Sequence, residues 1–286
     1  GAGGSILSQP IQEFTMSIAV LFPGQGSQEP GMGRDLAEAD RDCMELWKKA
    51  EKISGLELRS VYWEGSESDM ADTRSLQPAL TVVNINLWRA IASKCSPSAA
   101  AGHSLGEFSA LAAAEVLPVD TLLELVSLRG RLMSEADPEG KGTMAAILRI
   151  PLAEVEKCVV EAANATGELI LVANHNTPSQ FVVSGTKAAV AHIQESVKAV
   201  KGRAVPLAVS GAFHSPLMSE AAAEISKALD GTSASSWQKA RFAVYCNARP
   251  VASRAPEAMK ALPAKQMTSP VVWVDNMTQQ EDGGCL

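Results

Sequence analysis

The chain has 286 residues, which against a norm of about 150 per domain predicts one large domain or two smaller ones. Its 25 Lys and Arg residues against 32 Asp and Glu residues give a net charge of −7, which argues against nucleic acid or an anionic membrane as the main partner. Hydrophobic residues make up 46% of the chain, enough for a packed core, yet no apolar run approaches the ~18 residues of a membrane span.

The 5 cysteines are widely scattered and form no CxxC pair, which indicates free thiols rather than a disulfide framework or a zinc site. A reducing compartment is therefore expected, either a cytoplasm or the matrix of a plastid or mitochondrion. Residues 1–15 lack an initiator methionine and a signal-type apolar stretch, so we expect a tag scar or a flexible N-terminal remnant there. The C-terminal EDGGCL is expected to fray.

The first half of the chain predicts alternating strands and helices. A continuous apolar run over 16–22, stopped by Pro23, predicts a buried parallel strand. Small residues predict a second strand over 98–103, although alanine is a poor strand former. Asp120 is the expected N-cap of the last helix in this half. Helical spacing of apolar residues predicts helices over 36–53, 76–91, 105–116 and 121–133.

The middle of the chain has a different order of predicted elements. Its predicted elements run strand, helix, strand, strand, helix, strand, over 143–150, 152–163, 169–173, 181–184, 188–200 and 203–209. That order is typical of the ferredoxin-like split unit. We therefore predict an α/β protein whose larger subdomain, over 16–140 and 205–286, carries a small ferredoxin-like subdomain inserted over 141–204.

The segment Gly102-His103-Ser104-Leu105-Gly106 fits the GxSxG pattern of a nucleophile elbow. In such an elbow the serine lies on a sharp strand-to-helix turn, and the helix N-terminus faces the reacting centre. The pattern also occurs in ordinary glycine-rich turns, but the flanking elements favour the nucleophile. Glu107, in the first helical turn, is expected to complement the helix dipole rather than to act in catalysis.

A nucleophilic serine needs a base, and the chain has 4 histidines. His103 adjoins the serine and is expected to point away from it, while His192 lies within a predicted amphipathic helix. His175 lies at a strand end and stays possible. His214 follows the strand that returns to the larger subdomain, from which it can reach the elbow. It is the favoured base, against the alternative of an ordinary loop histidine.

A glycine-rich loop, PGQGSQ at 23–28, follows the first strand, where α/β folds bind ligands. It has neither a Walker lysine nor a GxGxxG fingerprint. Gln25, between two glycines, can bring a backbone N–H close to a substrate oxygen, and a plain turn is equally compatible with the pattern.

Six segments together resemble the malonyl-CoA:acyl carrier protein transacylase family, in family order from about Met16 to Trp273. They are LFPGQGSQ (21–28), GHSLGE (102–107), SLRGRLM (127–133), NTPSQFVVSG (176–185), GAFHSPLM (211–218) and QMTSPVVW (266–273). The resemblance implies an α/β-hydrolase-like large subdomain with a ferredoxin-like insertion, in agreement with the order of the predicted elements.

The resemblance also implies a catalytic role for four of the matching residues. Ser104 would carry the malonyl ester, and His214 would act as general base and then as general acid. Gln25 and the backbone N–H of Leu105 would form the oxyanion hole.

Three further residues would recognise the substrate or support the base. Arg129 would bind the malonyl carboxylate through a bidentate pair. Phe213 would exclude a 2-methyl branch by its bulk, and Gln266 would help to position the histidine. Asn174 and Gln180 match the family without an assigned role.

The implied activity transfers malonyl from malonyl-CoA to the phosphopantetheine thiol of acyl carrier protein, with no metal or other cofactor. Acyl carrier protein is the expected partner, and a monomer is the expected state. Two alternatives stay open: an α/β-hydrolase-type serine esterase or thioesterase, and a catalytically silent family member that binds the carrier protein. The family pattern continues past Trp273 with a strand, a Gly-Pro-Gly turn and a helix, so we expect a truncated or differently spliced C-terminus.

Overall fold

The computed structural model describes residues 17–282, so the expectations for residues 1–15 and for Cys285 lie outside the described residues. In this range the strands are β1 (Ala19–Phe22), β2 (Ala99–Gly102), β3 (Gly142–Leu148), β4 (Ile170–Thr177), β5 (Gln180–Thr186), β6 (Arg203–Pro206), β7 (Ala243–Cys246) and β8 (Arg249–Ser253). The α-helices are α1 (Arg34–Ala39), α2 (Arg41–Ser54), α3 (Glu67–Met70), α4 (Thr73–Ile91), α5 (Gly106–Ala113), α6 (Val119–Glu135), α7 (Leu152–Thr166), α8 (Lys187–Ala199), α9 (Ser219–Gly231), α10 (Pro256–Met259), α11 (Leu262–Lys265) and α12 (Trp273–Asp282).

The larger sheet has the order β1-β2-β7-β8, with β1, β2 and β7 parallel and β8 antiparallel to β7. The alanine-rich β2 lies inside this sheet, and each of its four residues is buried. Its small side chains suit a strand that is covered on both faces, which explains a strand that its propensity does not favour. The carboxyl ends of β1 and β2 lie side by side, so the loops that follow them meet at one edge of the sheet.

The smaller sheet has the order β4-β5-β3-β6 and is antiparallel throughout. The helices α7 and α8 pack against each other, and Ile147, Phe181 and Ile193 belong to the separate apolar core of this unit. The predicted α/β fold with a ferredoxin-like insertion is confirmed. The residue limits of the two subdomains stay a prediction.

A short backbone pairing joins the smaller sheet to the C-terminal part of the larger subdomain. The N–H of His175 donates to the carbonyl oxygen of Val271 at 2.8 Å, and the N–H of Val271 donates to the carbonyl oxygen of Ala173 at 2.8 Å. The end of β4 is thereby held against the segment that precedes α12.

Two predicted helices differ from the observed ones near an aspartate. The helix expected over 36–53 is divided into α1 and α2, because Asp40 is extended and its carboxylate accepts from the backbone N–H groups of Asp42 and Cys43. The expected N-cap at Asp120 is wrong, since Pro118 is the N-cap of α6 and Asp120 lies in its first turn.

Other differences concern strand ends and the C-terminus. β4 continues to Thr177, so only residues 178–179 connect it to β5, and β6 ends at Pro206 rather than at 209. The tail expected to fray from 281 begins inside α12, which ends at Asp282. None of the helices among residues 17–282 has the length and apolar character needed to cross a membrane.

Candidate active site

Ser104 occupies the turn between β2 and α5, where its φ of 51° lies in the left-handed region. A Cβ at Gly102 would lie 1.8 Å from the carbonyl carbon of Gly106, and a Cβ at Gly106 would lie 2.2 Å from the carbonyl oxygen of Phe22. Because only glycine fits at either position, these two residues let strand, turn and helix pack closely. The turn has the geometry of a nucleophile elbow.

The side chain of His214 lies against this turn and is almost fully buried. Its Nε2 is 2.8 Å from Ser104 Oγ, and its Nδ1 is 2.8 Å from the backbone carbonyl oxygen of Gln266. A carbonyl oxygen can only accept, so Nδ1 carries the proton and Nε2 presents its lone pair to the hydroxyl. Burial, with Arg129 nearby, lowers the pKa of His214 to about 3, so the imidazole is a neutral base ready to take the proton of the hydroxyl.

Arg129, on α6, brings a fully buried guanidinium to the same serine. Its Nη1 donates to Gln77 Oε1 at 2.8 Å, and its Nη2 lies 3.3 Å from Ser104 Oγ and 3.4 Å from Gln266 Oε1. Within residues 17–282 no carboxylate lies within ion-pair distance of it; burial lowers its pKa to about 10, and the more distant Glu107 opposes that shift. A buried cation hydrogen-bonded only to neutral acceptors is suited to bind a negatively charged group.

The loop after β1 packs directly on the elbow. A Cβ at Gly24 would lie 2.3 Å from the carbonyl oxygen of His103, so a larger residue would push the loop away. Among the described residues, no acceptor is bound to the backbone N–H of Gln25 or to that of Leu105. The side chain of Gln25 is held by Thr73, whose hydroxyl donates to Gln25 Oε1 at 3.0 Å. Two unpaired N–H groups beside a nucleophile are suited to stabilise an oxyanion.

These residues line a cavity of about 210 Å³ between the two subdomains. Its lining includes apolar side chains, among them Phe213, which is 5% exposed. It also includes the amide side chains of Asn174 and Gln180. The cavity therefore combines a reactive serine, a cation and apolar side chains.

None of the other three histidines is hydrogen-bonded to the serine hydroxyl, although His103 lines the same cavity. His103 Nε2 is 2.7 Å from Asn176 Oδ1, and its ring meets the edge of Trp273, so it is turned from the serine hydroxyl. His175 contacts the ring of Phe181, and His192 lies 3.5 Å from a glutamate on α7.

The polar residues of α4, most of which is buried, were not predicted from the sequence. Gln77 accepts from Arg129 through Oε1, and its Nε2 lies 3.1 Å from Thr73 Oγ1 and 3.2 Å from Met133 Sδ. A chain of contacts thus runs from Gln25 through Thr73 and Gln77 to Arg129. Glutamine and threonine inside an otherwise apolar helix were the available signal, because buried polar groups need partners.

Asn247, in the turn between β7 and β8, contacts the elbow and was not predicted either. Glu107 lies in the first turn of α5 as expected, but it is fully buried, and its Oε2 accepts from the N–H of Asn247 at 2.6 Å. Burial raises the pKa of the Glu107 carboxyl to about 7.

In the described part of the chain, no group of three or more His, Cys, Asp or Glu residues is placed to hold a metal.

Comparisons with known proteins agree with this geometry. The family model described as acyl transferase domain matches residues 20–284. A malonyl CoA-acyl carrier protein transacylase of Staphylococcus aureus (strain MW2) is 34% identical over 267 residues, covering 93% of this chain and 85% of that protein. The crystal structure of an acyl carrier protein S-malonyltransferase from Vibrio cholerae aligns with a TM-score of 0.85 and 35% identity, covering 94% of this chain and 87% of that one. A type II PKS acyl-carrier protein in complex with its malonyl-transacylase gives a TM-score of 0.87 at 35% identity, with coverage of 94% and 86%.

Proposed function

The chain belongs to the acyl transferase family of the malonyl CoA-acyl carrier protein transacylases, and from that membership we propose that it transfers malonyl from malonyl-CoA to the phosphopantetheine thiol of acyl carrier protein. The proposed substrate class rests on Arg129, a buried cation 3.3 Å from Ser104 Oγ with no ion-pair partner in the described chain. Such a cation favours an acyl group that ends in a carboxylate.

The first half-reaction makes a malonyl ester on the enzyme. Ser104 Oγ gives its proton to His214 Nε2 and attacks the thioester carbonyl carbon. The N–H groups of Gln25 and Leu105 stabilise the oxyanion that forms. The carbon–sulfur bond then breaks, His214 gives its proton to the departing coenzyme A sulfur, and malonyl remains on Ser104.

The second half-reaction delivers malonyl to the carrier. The phosphopantetheine thiol gives its proton to His214, its sulfur attacks the ester carbonyl, and Ser104 Oγ recovers the proton when the carbon–oxygen bond breaks. Both half-reactions start from a neutral imidazole, and the low pKa of His214 keeps the free ring in that form. Each step uses only this chain, a thioester and a thiol, so no metal or other cofactor is required.

The same site also suggests how the substrate is selected. Arg129 would pair with the malonyl carboxylate, and Phe213 would leave no room for a 2-methyl branch. We propose a monomer as the active unit, because the reaction described above needs no group beyond those of one chain. The cysteines at 43, 95, 158 and 246 are free thiols, and the relatives compared are bacterial, which supports a reducing, bacterial-type cytoplasm rather than an organelle matrix.

Intact-protein mass spectrometry after exposure to malonyl-CoA tests the proposal. The wild type should gain one malonyl group that holo-acyl carrier protein removes, and Ser104→Ala should gain none. Ser68→Ala, which removes an exposed serine on α3, is the matched control and should behave as the wild type. Release of free malonate without a carrier would instead indicate a hydrolase, and the absence of any adduct would indicate a silent carrier-binding protein. A stoichiometric adduct on Ser104→Ala would refute the assigned nucleophile.

A further inference from the structure

The side-chain amide of Asn247 forms hydrogen bonds with two backbone groups of the elbow. Its Oδ1 accepts from the N–H of Ser104 at 2.7 Å, and its Nδ2 donates to the carbonyl oxygen of Gly102 at 2.6 Å. The residue is 0% exposed, so no water competes for either contact. One amide side chain thus fixes the last residue of β2 and the nucleophile together.

Glu107 in turn fixes Asn247. Its Oε2 accepts from the backbone N–H of Asn247 at 2.6 Å, and its own N–H donates to the carbonyl oxygen of Ser104 at 3.1 Å. Ser104, Glu107 and Asn247 therefore form a closed ring of hydrogen bonds. No lysine or arginine of the described chain lies within ion-pair distance of this fully buried carboxyl, and Arg129 acts on its charge only from farther away, so burying it is costly. The hydrogen bond to Asn247 offsets part of that cost.

The ring acts on a backbone conformation that serine does not prefer. A serine at a φ of 51° is strained and keeps that conformation only where the surroundings over-determine it. Asn247 also occupies the N–H of Ser104, which would otherwise be a possible oxyanion donor. The oxyanion is left to Gln25 and Leu105, and their placement depends on how the turn is held.

We propose that Asn247 and Glu107 are positioning residues, which hold the elbow so that Ser104 Oγ and the N–H of Leu105 face the thioester together. This inference rests on the proposed acyl transfer. Neither residue contacts the acyl group. The positioning role of Glu107 is that of a hydrogen-bond acceptor, which glutamine can also provide, whereas its longer-range attraction to Arg129 is not part of that role.

The test is the acylation half-reaction, followed by rapid quench and intact mass over a range of malonyl-CoA concentrations. The variants are Asn247→Ala, Glu107→Ala, Glu107→Gln and the double alanine variant. Asn86→Ala is the matched control, because Asn86 is a buried amide of α4 whose side-chain Nδ2 donates to the carbonyl oxygen of Cys43 at 3.1 Å, outside the elbow. Thermal melting of each variant gives its stability independently.

Displacing a reacting group by about 1 Å costs on the order of 10²-fold, so Asn247→Ala and Glu107→Ala should each slow the acylation rate constant by about that factor. The half-saturating concentration of malonyl-CoA should change by less than about threefold, because ground-state binding is not affected. Glu107→Gln should recover the wild-type rate, and the double variant should be no slower than either single variant, since both residues act through one contact. Asn86→Ala should acylate normally even if its melting temperature falls.

The proposal is overturned if Asn247→Ala acylates at the wild-type rate, if the two alanine effects multiply, or if Asn86→Ala slows acylation as much. Should Glu107→Ala fail to fold, Asn247→Ala and Glu107→Gln still decide the question. Failure of the proposed function looks different, since the wild type itself would then form no malonyl ester.

Discussion

The imidazole Nδ1 of His214 lies 2.8 Å from the backbone carbonyl oxygen of Gln266, so a neutral group stands where a Ser-His-Asp triad has a carboxylate. Four of the acids that lie between Ser104 and His214 in the sequence are engaged elsewhere. Asp120 pairs with Lys49, Glu135 with Arg131 and Glu139 with Lys141, while Asp137 accepts from backbone N–H groups. An imidazolium held by a carbonyl is less stabilised than one held by a carboxylate, which suits a base that passes its proton in both directions.

We therefore expect that the amide variants of these four acids, and that of Glu124 on α6, keep their activity. Substitutions of Asp120, Glu124, Glu135, Asp137 and Glu139 by their amides should each leave malonyl transfer within about tenfold of the wild type, whereas loss of a triad acid costs about 10⁴-fold in kcat. Steady-state transfer to acyl carrier protein, with circular dichroism as the folding control, measures this. A loss near 10⁴-fold in a folded variant would favour the hydrolase.

Arg129→Ala should reduce malonyl transfer far more than acetyl transfer. A charge-assisted hydrogen bond contributes about 1.5–3 kcal/mol, and a buried cation left unpaired costs about 3–5 kcal/mol. The wild type should accordingly prefer malonyl-CoA over acetyl-CoA by roughly 10²–10³-fold, at 1.4 kcal/mol per tenfold. The ratio of kcat/KM for the two thioesters, measured in both proteins, checks this. Equal losses for both substrates would contradict the assigned role.

Gln77→Glu should impair malonyl transfer without adding bulk. The new carboxylate would face Arg129 Nη1, where the amide oxygen now lies at 2.8 Å, and would compete with the malonyl carboxylate for the guanidinium. We expect kcat/KM for malonyl-CoA to fall by about 10- to 100-fold. Acetyl-CoA should be affected much less. Gln77→Met, which keeps the length and adds no charge, is the control, and a malonyl defect as large as that of the glutamate variant would argue against competition.

Acylation should be insensitive to mild acid. Burial lowers the pKa of His214 to about 3 and that of Arg129 to about 10, so both groups keep their working charge states from pH 5 to pH 8. Glu107, with a pKa of about 7, accepts from Asn247 in either protonation state. A histidine base with an ordinary pKa of about 6.5 would lose roughly 30-fold in kcat/KM at pH 5. A flat profile of kcat/KM for the acylation step is therefore expected, and a decline through pH 6.5 would contradict it.

Glu107→Gln should change how stability depends on pH. The native carboxyl keeps its proton up to about pH 7, whereas the same carboxyl in the unfolded chain, with the ordinary glutamate pKa of 4.5, has already released it. The raised pKa of Glu107 therefore adds to the free energy of unfolding of the wild type. This stabilisation is present below pH 4.5 and is lost as the pH rises through about 7. The glutamine variant has no such loss, so its melting temperature relative to the wild type should increase from pH 5 to pH 8. If the melting temperatures of the two proteins differed by a constant amount from pH 5 to pH 8, the raised pKa of Glu107 would be contradicted.

The fold was predictable where the pattern is local. The order of strands and helices over 143–209 identified the ferredoxin-like insertion, because apolar spacing reports each element separately. The division at Asp40 was not predicted, because the helical spacing continues across it and only the capping hydrogen bonds show the break.

The residues of the candidate site also differ in whether a local sequence pattern predicts them. Ser104 and His214 follow from local signals, a glycine-flanked turn and a strand exit. The pattern around Arg129 is that of a solvated charge on an amphipathic helix, so only the family resemblance identified it. Asn247 could not be found, because its role depends on a contact with Ser104 that lies 143 positions away in the sequence.

The pairing of Val271 with Ala173 and His175 ties the smaller sheet to the segment that orients the base. Asn174, between the two paired residues of β4, lines the cavity, so the tie lies beside the candidate active site. The carbonyl of Gln266 that orients His214 lies five positions before Val271 on the same segment. A substitution that separated β4 from this segment is therefore expected to disturb the carbonyl that orients the imidazole as well.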